Sequence, residues 1–86
     1  MLYRILTEDK GNGNIERLTA AEFGGFTSYH GMGFWRGTPE PCTIVEVNAP
    51  PSDKPKVRRL CSAICAANEQ EAVVLQVIDT QFNLIT

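Results

Sequence analysis

One amphipathic helical stripe lies between two strand-like runs, and this limits the chain's folds more than any other feature. Val57, Leu60, Cys61, Ile64 and Ala67 recur at i, i+3, i+4, i+7 and i+10, one apolar face of a helix, with Lys54, Arg58, Ser62 and Glu69 mostly off it. Ahead of the stripe "CTIVEVNA", from Cys42, alternates as a strand does. Behind it "EAVVLQVID", from Glu71, is almost continuously apolar. A helix so placed has to bury its stripe against the sheet that its flanking strands share.

The amino-terminal half repeats the pattern. "LYRILT", Leu2 to Thr7, alternates and is rich in strand formers, and "EDKGNGN" collects the charges and glycines that stop it. With Asn12 or Asn14 as N-cap, "IERLTAAEF" sets Ile15 and Leu18 one turn apart. It meets Gly24 and Gly25, which suit a left-handed helix end. "FTSYHGMGFW" reads as a long second strand with a bulge or bend near Gly31 and Gly33, and "TPEP" (Thr38 to Pro41) as the turn before the third strand. "PPSDKP" ends that strand, with Ser52 or Asp53 to cap the second helix, and "TQFNLIT" is a tail or strand extension. The order strand, helix, strand, strand, helix, strand predicts an α+β fold of ferredoxin-like βαββαβ type, a four-stranded antiparallel sheet with two helices on one face.

Such a sheet has a second face with no helix over it. If Ile5, Val45, Val47, Val73, Leu75 and Val77 point at the helices, alternation sends Leu2, Leu6, Ile44, Val74 and Ile78 the other way. So wide an apolar patch exceeds what a monomer usually exposes, and a partner is expected to cover it. Arg4, Glu46 and Gln76 fall on the same face near mid-strand. The first and third strands are antiparallel neighbours in this topology, so Arg4 and Glu46 are expected to pair, with Gln76 beside Arg4 on the fourth strand. In an assembly that group sits at the interface, where an ion pair fixes register.

Eighty-six residues make one domain, 1–86, whose core is small enough to gain from oligomerisation. Hydrophobic residues are 43%, charged residues 21% and the formal net charge is -2. That balance fits neither a polybasic nucleic-acid binder nor a disordered chain. The start "MLYRILTEDK" lacks the features of a secretory signal, and no segment approaches the ~20 apolar residues of a membrane span. Three cysteines give no disulfide framework. The expectation is a cytoplasmic protein without nucleic-acid or membrane partners.

Catalytic signatures are missing: no Ser-His-Asp order, no paired-carboxylate motif and no phosphate-binding loop. Cys61 and Cys65 are a helical turn apart, but no His-Cys spacing completes a metal's ligand set, so core packing is expected of them and no metal or cofactor. His30 is read as a hydrogen-bonded structural histidine. "KPKVRR" gathers Lys54, Lys56, Arg58 and Arg59 where cations oppose the helix dipole. Beside the plain reading as a solvated face, Lys54 and Arg58, with Arg36, are the candidates for a small anionic ligand. Trp35 and Arg36 sit in an aromatic hairpin suited to a subunit contact or a binding loop, and the contact is the expectation for Trp35.

The element order, the aromatic second strand and "FWRGTPEP" leading to "VEV" resemble the CutA and PII-like proteins. An aromatic-Trp-x-Gly-x-x-Glu hairpin of the CutA pattern is matched by Phe34, Trp35, Gly37 and Glu40. The resemblance implies a homotrimer acting as a non-enzymatic binding or regulatory module. Where PII proteins carry a glycine-rich, lysine-bearing nucleotide loop, this chain has "ANEQEA", which weighs against an ATP site. Two further expectations stand beside this one: a small ferredoxin-like enzyme with a pocket near His30, and a purely structural interaction module.

Overall fold

The computed structural model describes residues 1–85, with elements β1 (Leu2–Glu8), α1 (Asn14–Glu22), β2 (Thr27–Trp35), β3 (Thr38–Asn48), a short 3-10 turn (Pro51–Asp53), α2 (Lys54–Asn68) and β4 (Val74–Ile78). All strand pairs are antiparallel and the sheet order is β2-β3-β1-β4. This is the ferredoxin-like α+β architecture that the element order implies. Both helices cover one face. Ile15 of α1 and Val57, Leu60 and Ile64 of α2 close over Tyr3, Ile5, Val45 and Val47, all of them buried.

The faces follow alternation. Odd positions of β1 and β3 point to the helices, and they include Tyr3, which is fully buried and donates its hydroxyl proton to the carbonyl of Pro50 at 3.1 Å. Three threonines, Thr7, Thr19 and Thr43, are also buried on this side. Thr19 satisfies its hydroxyl on the carbonyl of Ile15 at 2.7 Å, and the Thr7 hydroxyl accepts a bond from the Gln70 amide at 2.7 Å. Gln70 also accepts from the Glu8 backbone N–H at 3.1 Å, so the loop before β4 continues the edge bonding of β1.

Several local expectations are corrected. β2 has no bulge. Its ladder with β3 is regular from Thr27–Glu46 to Trp35–Thr38, and Gly31 serves close packing, since a Cβ there would stand 3.0 Å from Ile44 Cδ1 and 3.4 Å from Cys42 Sγ. "TPEP" is strand, not turn. The reversal is made by Arg36 and Gly37, with φ of 50° and 80°, and two consecutive positive values mark the two-residue turn that matches strand twist. Pro39 and Pro41 survive in β3 because it has outrun β1 there. The Pro41 carbonyl takes the Asp9 N–H at 3.2 Å, so at positions 41 and 39 the backbone nitrogens face away from β2 and no ladder donor is lost.

The helix ends differ as well. Phe23, extended at φ -129° and buried, closes α1 in place of a left-handed glycine, and its N–H reaches Thr19 O at 2.9 Å. At the start of α1 the Asn12 side chain accepts the Asn14 N–H at 3.0 Å, with Gly13 between them at φ 72°. The start of α2 carries no side-chain cap: Asp53 holds the cap position and the 3-10 turn leads into the helix. The buried stripe of α2 ends on Asn68, with Ala67 exposed, because the last step along the face is four residues, not three. The "TQFNLIT" segment adds no strand among the described residues, and Phe82, Leu84 and Ile85 are exposed. No helix of the described residues is long and apolar enough to cross a membrane.

Candidate functional site

The uncovered face holds the most organised group of polar side chains. Arg4 lies opposite Glu46 in one ladder and opposite Gln76 in the other. Its Nε and Nη2 donate to the same Glu46 oxygen, Oε2, at 3.0 and 2.9 Å, and Nη1 reaches the Gln76 carbonyl oxygen at 3.4 Å. The bond to Glu46 raises the guanidinium's pKa, Tyr29 adding a smaller push in the same direction. Arg4 and Glu46 keep 32% and 23% of their side-chain surface open. They therefore form a mostly covered pair at the centre of a face that no helix of the described residues caps.

Around it lie the apolar residues that alternation assigns to this side. They are less uniformly open than the expectation of a wide bare patch supposed. Ile44 is buried within the chain, because Gly31 leaves room for its side chain; Leu2, Leu6 and Ile78 are half-buried, and Val74 is 55% exposed. Tyr29 stands opposite Ile44 and is exposed.

The β2–β3 hairpin runs outward from the body of the domain, with its exposed Trp35 on the uncovered face and its exposed Met32 and Phe34, opposite Pro41 and Pro39, on the helix side. Four residues of β3, Thr38 to Pro41, run beyond the last β1 partner and are paired only to β2. An eleven-residue strand spans roughly 36 Å, which accounts for most of the molecule's 41 Å long dimension. On this arm Met32, Phe34 and Trp35 are exposed, Trp35 by 63%. Arg36 lies 5.4 Å from the Trp35 ring, a cation–π distance, in a left-handed conformation that costs a side-chain-bearing residue energy. A hollow of about 440 Å3 lies at the root of the arm, with Leu6, Phe34, Trp35, Cys42 and Val74 in its wall.

The three residues grouped for an anion do not come together. Lys54 and Arg58 line one hollow between α2 and β4. Arg36 is at the tip of the arm, at the other end of β3, so roughly the length of that strand separates it from the start of α2. As part of the turn, Arg36 stands at the far end of the arm, away from the start of α2.

His30 has a definite partner that sequence reasoning missed. Its Nδ1 is 3.1 Å from Asp9 Oδ2 and 3.5 Å from Thr43 Oγ1, beside a hollow of about 270 Å3 whose wall includes Gly11, Gly13 and Glu16. Asp9 still lies beside β3, with its N–H on the Pro41 carbonyl, and its side chain reaches from there to His30 on β2. A base and an orienting carboxylate are therefore present, but among the described residues no Ser, Cys or Lys lines that hollow. Cys42 stays apart from the other two cysteines: it is on the uncovered face, Cys61 and Cys65 are one turn apart on α2 across the sheet, and all three are free. No cluster of three metal-ligating side chains occurs among the described residues.

No protein-family model matches the chain, and no curated protein matches it.

Proposed function

We propose that the chain is a non-enzymatic binding or regulatory protein that works as a cytoplasmic homotrimer, of the kind the CutA and PII-like resemblance implies. One observation carries this reading. The uncovered sheet face has an aligned Arg4–Glu46–Gln76 group at its centre and apolar side chains around it. A solvated face has no need of a bonded polar centre in an apolar surround, whereas an interface between identical copies gains register from it. The arm supports the same reading. It presents Met32, Phe34 and Trp35 beyond the body of the domain, with Pro39 and Pro41 keeping its inner edge from pairing indiscriminately.

The contrasting enzymatic reading rests on His30 and Asp9. Orientation of an imidazole by a carboxylate is also how structural histidines are held, and among the described residues no Ser, Cys or Lys stands in the hollow beside it. Native mass spectrometry of the purified chain tests the proposal, since it reports subunit number and retained small molecules together. Three chains per particle are expected; particles of one chain under gentle ionisation contradict it.

A further inference from the structure

The cations at the start of α2 have separate tasks. Lys56 lies 4.6 Å from the centre of the Phe23 ring and belongs to the contact between α1 and α2. Lys54 and Arg58, one turn apart, line the opposite flank, over a hollow of about 370 Å3 completed by Cys61, Ser62, Leu75 and Val77. Val77 belongs to the helix-facing set, yet it is 39% exposed, because α2 does not close down over the edge strand. The result is an open groove with an apolar floor and a cationic rim.

Among the described residues no side chain pairs with that rim. Neither Lys54 nor Arg58 has a carboxylate at ion-pair distance among the described residues, and α2 contains no acidic residue from Lys54 to Asn68. This local excess occurs in a chain of net charge -2. Like charges one turn apart repel, and cations in the first turns oppose the helix dipole, so an added anion between them is favourable. The other polar groups do not compete for that anion. Ser62 donates its hydroxyl proton to the Arg58 carbonyl at 3.2 Å. The Cys61 thiol, pushed up to about 11 by burial and then by the neighbouring Cys65, stays protonated at neutral pH and adds no negative charge.

We propose that the groove between α2 and β4 binds a small amphipathic organic anion, its carboxylate or phosphate head held by Lys54 and Arg58 and its short hydrocarbon body lying on Leu75 and Val77. The Arg58 guanidinium offers a planar pair of donors to such a head and Lys54 a mobile point charge. The volume is at the lower end of small-molecule sites, which suits a short chain or a single ring. This deepens the ligand-binding part of the function proposed above. It does not depend on assembly, because the groove lies on the helix side of a single protomer.

Titration of the isotope-labelled full chain, followed by backbone amide shifts, tests it. Hexanoate is the probe, with hexanol (same body, no charge) and acetate (same head, no body) as controls and hexyl phosphate as the alternative head. Hexanoate or hexyl phosphate is expected to move the amides of 54–62 and 75–77 saturably, and the tighter of the two identifies the head. Hexanol and acetate should each bind at least about tenfold more weakly, and Arg58→Gln should weaken the anion by about tenfold, the size of one lost charge-assisted hydrogen bond. Equal binding of hexanol, shifts confined to other residues, or an unaltered affinity in Arg58→Gln would each overturn the proposal. The particle mass of the same samples reports assembly separately, so a failed groove and a failed trimer are told apart.

Discussion

Gly31 carries no side chain because Ile44 occupies the space that one would need. Gly31→Val should therefore push Ile44 out of its place on the uncovered face and destabilise the domain by about 2 kcal/mol, the usual scale of overpacking, in a denaturant titration. An unchanged midpoint would mean that Ile44 can move at no cost. Asn68 presents the opposite case. It is buried at the end of the α2 stripe, and neither its Oδ1 nor its Nδ2 has a hydrogen-bond partner among the described residues. Asn68→Leu, close in volume, should stabilise the domain by about 1 kcal/mol by removing an unsatisfied amide, and a loss of stability would show that the amide is engaged. Neither residue's role was legible beforehand. A glycine in an alternating run suggests a bulge as readily as a close approach, and a stripe spaced by threes and fours does not say which step it takes last.

At the scale of elements, the alternation that separates Ile5, Val45 and Val47 from Leu6, Ile44 and Glu46 is a backbone property, and it survives folding intact. From it and the strand order the Arg4–Glu46 pair is legible in the sequence, with Gln76 beside it. The hairpin was legible only in part. Proline marks "TPEP" as a turn to any local rule, yet the turn belongs to Arg36–Gly37, and the prolines are tolerated because β3 there borders no second strand. His30 and Asp9 lie too far apart in sequence for spacing to join them. The Arg4–Glu46 pair also reports on what covers it. Open to solvent over 32% and 23% of its side-chain surface in a lone chain, it should contribute little, whereas under a second subunit breaking it strands a buried guanidinium. Glu46→Gln is therefore expected to lower the melting temperature by several degrees, and Arg4→Met with Glu46→Leu to recover most of the loss. A double variant as unstable as the single one would show that the two side chains do not act as partners.

For the whole molecule, the arm exposes Met32, Phe34 and Trp35, and the uncovered sheet face exposes Tyr29 and Val74. Trp35 sits at the arm's tip with Arg36 against its ring, at a position where a subunit contact would bury a large aromatic anchor. Trp35→Ala is expected to weaken self-association by about 2 kcal/mol, as the loss of such an anchor does, without lowering the unfolding temperature of the dissociated chain. A variant that assembles like the parent would return the hairpin to service as a free binding loop. The most direct measurement is the molar mass by light scattering at micromolar concentration in moderate salt. Three times the mass of the chain is expected, with the Arg4–Glu46–Gln76 face enclosed. The mass of a single chain under those conditions would contradict assembly across that face, and twice the chain mass would keep a covered face but reject its threefold arrangement.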